Sequence, residues 1–204
     1  MADTKEKILL SALRLFAQDG YEAVSVSAIA GELGMTKGAL YKHYKNKRDI
    51  FDCLVERIME MDVERAKEYE LPEATFAEVP FAYRNTSLKR IKMFVESQLY
   101  FWTENEFACN FRRMLTLEQY RNPEMTDLYQ KIFASGPVSY IEDLFREMME
   151  QGVLKKSSSR LLALEFYAPL YLLMNISDAS SDHEGWGNLL TAHMDDFIKI
   201  NANN

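Results

Sequence analysis

Positive charge gathers between residues 37 and 48, where Lys37, Lys42, Lys45, Lys47 and Arg48 stand among Ala39, Tyr41 and His43. Amines, a phenol, an imidazole and one small methyl group are what base edges in a major groove can receive: hydrogen-bond donors and an apolar contact. Lys37, Ala39, Tyr41, Lys42 and His43 are therefore the candidates for base-side contact. Asn46 can cap a helix with Asp49 at its third position, and Lys47 and Arg48 sit in its first turn. Cations beside unpaired backbone amides suit a phosphate. Lys47, with the short hydroxyls of Ser25, Ser27 and Thr36, is the candidate set for the backbone of a duplex.

These side chains need two short helices to hold them. Ser25 stands where an N-cap belongs, and Val26, Ile29, Ala30 and Leu33 follow as one apolar stripe. Gly34 can leave that helix with positive φ. Thr36 caps again, and Lys37 to Tyr44 reads as a second short helix, anchored by Leu40 and Tyr44 four residues apart. Two short helices around a tight glycine turn make a helix-turn-helix. A polar face on a short helix is most often only a solvated one. Here a cap, a glycine turn, a second cap, Tyr-x-His and Asn-Lys-Arg arrive in order within one window, and that combination points to DNA.

The stretch Ala28 to Lys47, Ala-Ile-Ala-x-x-Leu-Gly-Met-Thr-Lys-Gly-Ala-Leu-Tyr-Lys-His-Tyr-Lys-Asn-Lys, resembles the signature of TetR-type transcriptional regulators. Ile8-Leu9-x-x-Ala12-x-x-Leu15-Phe16-Ala17-x-x-Gly20-Tyr21 is similar to that family's first helix and its Gly-aromatic exit. The resemblance covers about the first 55 residues. It implies an all-α protein, with a three-helix DNA-binding domain at residues 1–48 and a helical ligand-binding and dimerisation domain at 49–204. It also implies a homodimer joined through its C-terminal helices as a four-helix bundle.

Composition agrees with long helices. The chain has 204 residues, 48% hydrophobic and 27% charged, with only eight Gly and five Pro. The net charge of −7 divides unevenly: residues 1–50 hold eight Lys/Arg and six Asp/Glu, a net of +2, which leaves −9 for the rest. A small basic module on an acidic body is the expected arrangement. The amphipathic opening MADTKEKILLSALRLF is not a signal peptide, and no stretch approaches a membrane span of about 20 apolar residues. Cys53 and Cys109 lack metal or CxxC spacing and read as small buried thiols in a reducing cytoplasm.

Thr4 can cap the first helix, whose stripe is Ile8, Leu9, Ala12, Leu15 and Phe16, and Gly20 ends it. The helix opened by Asn46 keeps its spacing through Phe51, Leu54, Val55, Ile58 and Met61 to about Glu70. It is the expected mechanical link between the domains. Leu71 to Thr86 is a loop with room for one helical turn. Helices then cover about 87–104, 107–120 and 124–151, with a kink or break at Gly136-Pro137. Two more, about 158–177 and 185–201, are expected to pair with a second copy. Asn201 to Asn204 is expected to fray.

Aromatics and Met concentrate between residues 94 and 174. Phe94, Trp102, Phe111, Met114, Phe133, Phe166, Tyr167 and Tyr171 are the candidates for a cavity that holds a small apolar or aromatic effector, although such a stripe is more often core. Arg112, Arg113, Glu118 and Asn175 are the polar groups that could orient it. Catalysis is not expected: the chain has no Gly-rich phosphate loop, nucleophile elbow or HExxH. His43, His183 and His193 lack metal spacing, and no cofactor is implied. The expected function is a ligand-responsive regulator, most simply a repressor, on a pseudo-palindromic operator. The alternative is a sensory helical module whose helix-turn-helix contacts protein.

Overall fold

Why this chain is helical is visible at its helix ends. The computed structural model describes residues 3–179 and 183–203, and the linker expected around His183 lies partly outside them. Several helices start where a short polar side chain takes a free amide, although α1, α5 and α9 do not: Ser25 Oγ accepts from Ala28 N–H at 3.1 Å, and Thr36 Oγ1 from Ala39 N–H at 3.2 Å. Asn46 Oδ1 accepts from Asp49 N–H at 2.8 Å, Asn105 Oδ1 from Ala108 N–H at 3.0 Å, and Ser158 Oγ from Leu161 N–H at 3.3 Å.

The helices are α1 (Thr4–Asp19), α2 (Val26–Glu32), α3 (Lys37–Leu40), α4 (Lys47–Glu68), α5 (Pro80–Arg84), α6 (Leu88–Glu104), α7 (Glu106–Glu118), α8 (Pro123–Phe133), α9 (Ser135–Glu150), α10 (Ser159–Ile176) and α11 (His183–Asn201). A 3-10 turn, Ser177–Ala179, follows α10. The only extended pairing among the described residues is an isolated bridge between Leu154 and Ala202. The fold is all-α, and none of these helices is long and apolar enough to cross a membrane.

Packing gathers the chain into two units: residues through Asp62 with Asn105–Tyr129, and Val63–Glu104 with the residues from Gln130 on. This differs from a cut at 48/49. The buried face of α4, with Ile50, Phe51, Leu54 and Ile58, belongs to the first unit, and so does α7, which packs on α1. Three short helices make a thin core, and α7 thickens it with Phe107, Phe111, Met114 and Leu115. In the second unit α10 lies against α9, α6 and α11. Its centre is an aromatic trio: the Phe145, Phe166 and Phe197 rings stand 4.9–5.6 Å apart.

Several expected boundaries move. The second short helix is one α turn, Lys37–Leu40, and its continuation to Tyr44 tightens. Lys42 N–H and His43 N–H bond three residues back, to Ala39 and Leu40 carbonyls at 3.3 and 2.9 Å. The break near Gly136-Pro137 falls at Ala134, and Pro137 takes the first turn of α9, where its missing N–H costs nothing. The C-terminal residues do not fray. Asn203 N–H donates to Val153 O at 3.0 Å, and its Nδ2 donates to Gly152 O at 2.8 Å. Asn204 lies outside the described residues.

Candidate nucleic-acid interface

The turn between α2 and α3 is built on a left-handed glycine. Gly34 has φ of 63°, Met35 N–H reaches back to Ala30 O at 2.9 Å, and Gly34 N–H to Gly31 O at 3.0 Å. Those two bonds close α2 and aim the chain into the Thr36 cap. Leu40 and Tyr44 then fix α3: both are buried, and the Tyr44 hydroxyl donates to Lys5 O at 3.2 Å. Burial pushes the Tyr44 phenol far above its ordinary range, so it stays a neutral donor.

With Leu40 and Tyr44 facing inward, the sequence candidates face out. Lys37, Tyr41 and Lys42 are exposed, and Ala39 and His43 are half-buried. Ser25, Ser27 and Thr36 are exposed at the helix starts. The Lys37 ammonium lies 5.7 Å from the centre of the Tyr41 ring, so one cation and one phenol already lean together across a helical turn. From Leu33 to Arg48 no acidic residue interrupts this face.

The two cations at the start of α4 are occupied, and differently from each other. Lys47 Nζ donates to Tyr21 O at 2.9 Å and Glu22 O at 3.3 Å, and sits 4.3 Å from the centre of the Tyr21 ring. An ammonium has three donors, so one remains for a phosphate. Arg48, expected as the second half of a phosphate clamp, is instead forked onto a carboxylate. Its Nη1 and Nη2 donate to Glu124 Oε2 and Oε1 at 2.7 and 2.5 Å, and its Nε donates to Asp52 Oδ1 at 2.6 Å. Those bonds hold Glu124 below the usual carboxylate range and raise Arg48 further.

Sequence reasoning missed Glu124, because a pair 76 residues apart leaves no local pattern. The Arg48–Asp52 pair had a signal in its i,i+4 spacing.

The candidate effector residues do not form one group. Phe111 and Met114 are core side chains of the first unit, fully buried in α7. The other six belong to the second unit. There the Trp102 and Phe133 rings meet edge-on at 4.7 Å, and the buried Tyr167 hydroxyl donates to Phe133 O at 2.9 Å. Phe166 is part of the aromatic trio. Phe94 meets Tyr69 at 5.7 Å, and Tyr171 is half-buried. Of the polar candidates, Asn175 turns its Nδ2 to Tyr171 O on its own helix, and Glu118 lies fully buried in the first unit.

Residues 8–54 match the family described as bacterial regulatory proteins, tetR family. By that match the first quarter of the chain is similar to the DNA-binding segment of tetR-family regulators. Over 82 residues the chain is 41% identical to the HTH-type transcriptional regulator AcrR of Shigella flexneri, covering 40% of this chain and 32% of that one. Over 70 residues it is 36% identical to the HTH-type transcriptional regulator YerO of Bacillus subtilis, 34% of this chain and 24% of the other. The matched segment thus spans about a quarter to a third of these curated relatives. Beyond it the likeness is one of fold. The SmeT–triclosan complex superposes with a TM-score of 0.68 at 18% identity, over 98% of this chain and 92% of that one. SmeT is the repressor of the Stenotrophomonas maltophilia multidrug efflux pump SmeDEF.

Proposed function

We propose that the chain is a ligand-responsive transcriptional regulator, a repressor, which binds a pseudo-palindromic DNA operator as a homodimer and is released by a small effector. The observation that carries this reading is the outward face of Lys37, Ala39, Tyr41, Lys42 and His43, free of acidic residues and framed by the Ser25, Ser27, Thr36 and Lys47 set. The first five meet base edges, and the second set holds phosphates. One recognition helix reads only a few base pairs, so two copies on a symmetric site are needed for selectivity.

Support for the dimer comes from α10. Leu161, Leu164 and Leu172 are 60%, 52% and 58% exposed in the single chain, on one helix face with Ile176. Such a face matches the expectation that 158–177 and 185–201 pair with a second copy. The effector is read as small and apolar or aromatic, held in the second unit near Trp102, Phe133 and Tyr167, with Phe94, Phe166 and Tyr171 as further candidates. SmeT, of the same fold, is known in a complex with triclosan. Phe111 and Met114 drop from this set, because their burial in the first unit gives them a core role.

Enrichment of duplexes from a random pool by the full chain, followed by titration across a salt series, tests the reading. The expected result is a two-fold related sequence whose affinity falls steeply with salt, by about 0.9 in log K per log salt for each phosphate neutralised. An unchanged pool, or binding indifferent to salt, overturns it in favour of a helix-turn-helix that contacts protein.

A further inference from the structure

The corner between α7 and α8 touches the frame of the reading surface at two points. Glu118, the last residue of α7, is fully buried. Its Oε1 accepts from Glu22 N–H at 3.5 Å and from Arg121 Nη1 at 3.4 Å. The same carboxylate occupies the space where a Cβ on Gly20 would stand. Six residues later Glu124, in the first turn of α8, takes the fork of Arg48. Lys47, next to Arg48, holds the carbonyls of Tyr21 and Glu22. A closed ring results: the α7–α8 corner grips the α1–α2 loop through Glu118 and the start of α4 through Glu124, while Lys47 joins loop to helix.

We propose that Glu118 and Glu124 are positioning residues for DNA recognition, which set the angle at which α3 and the first turn of α4 meet a duplex without touching it. The proposal rests on the DNA-binding reading above. Two physical points carry it. Glu124 grips Arg48, the neighbour of Lys47, and Glu118 grips Glu22, whose carbonyl Lys47 holds, so a shift of either displaces Lys47. And the Arg48 and Glu124 side chains are 49% and 52% exposed, so the pair adds little to folding stability. What a two-pronged guanidinium–carboxylate contact does supply is direction. Base contacts made through short side chains need that direction, since hydrogen bonds weaken steeply once bent.

The test uses the full chain, the duplex that the wild type enriches from a random pool, and an unrelated duplex of equal length. Variants are Arg48→Glu, Glu124→Arg, their double exchange, Glu118→Leu and Glu118→Gln, with a thermal midpoint recorded for each. Each single charge reversal is expected to lower the ratio of specific to unrelated affinity about tenfold, the scale of one lost bidentate base contact. The double exchange restores the ratio. Glu118→Leu, which removes the acceptor, lowers the ratio in the same way, and the conservative Glu118→Gln, whose amide oxygen still accepts from Glu22, rescues it; a Glu118→Leu chain with an unchanged ratio overturns the part assigned to Glu118.

If Arg48 instead grips a phosphate, the double exchange stays as weak as Arg48→Glu and the salt slope drops by one contact, which overturns the proposal. So does a Glu124→Arg chain with an unchanged ratio at a wild-type midpoint. A wild type that enriches no sequence overturns the DNA reading itself, an outcome distinct from both.

Discussion

Gly20 is required twice over. Its φ of 88° belongs to the region that side chains avoid, and a Cβ there would press into the Glu118 carboxylate. Gly20→Ala is expected to destabilise the chain by about 1–3 kcal/mol, read by chemical denaturation. A sequence can suggest a glycine exit from α1, but not the carboxylate almost a hundred residues away that fills its empty side. Lys47 shows the same limit. Its type and place beside Asn46 were legible, whereas its two carbonyl partners come from a loop 25 residues earlier. Lys47→Ala is therefore expected to weaken binding to all duplexes about equally, with the salt slope reduced by about one contact in a titration series. A change in sequence preference would assign it to the bases instead.

Tyr83 offers a test of the second unit at this scale. Its ring packs against Phe76 and Tyr140, and its hydroxyl donates to Ala74 O at 3.1 Å. Burial raises its pKa to about 12 from an ordinary 10.0. A raised phenol contributes stability that is whole below pH 10 and is lost as pH climbs through 12. Unfolding midpoints taken along an alkaline series should fall over that window, and Tyr83→Phe should flatten the fall. A parallel decline in both chains would remove Tyr83 as its source.

Among the elements, α2 and α3 are short enough to depend on their caps. Seven and four residues cannot hold helical form through propagation alone. Ser25→Ala and Thr36→Ala are each expected to cost about 1 kcal/mol in denaturant unfolding, and the Thr36 change also frees the base-facing helix. A change of either at no cost would show that packing alone fixes these turns. Caps, glycine turns and apolar stripes are local, so α1 to α4 could be read from sequence to within a few residues. The helix–helix partners could not, because periodicity says which face is buried and not against what. That is why α7 was expected in the second domain and instead thickens the first unit, taking Phe111 and Met114 with it.

At the scale of the whole molecule, the proposed reading gives the uneven charge a use: the acidic remainder would repel DNA and the basic segment would attract it. The leucines left uncovered on α10 give the chain a reason to meet its own copy. A Leu164→Lys, Leu172→Lys double variant is expected to sediment as a monomer, since two charges would enter a dry interface. A variant that still sediments with the wild-type mass would move the dimer contact elsewhere.

The central claim is that residues Thr36 to Lys47 lie against a duplex. Acylation of lysines in the full chain, with and without the enriched duplex and read by mass spectrometry, tests it without any substitution. Lys37, Lys42 and Lys45 should be strongly protected by DNA, while the exposed Lys89, Lys131 and Lys199 react as before. Equal reactivity of Lys37 and Lys42 in the two samples, with DNA demonstrably bound, would contradict the account.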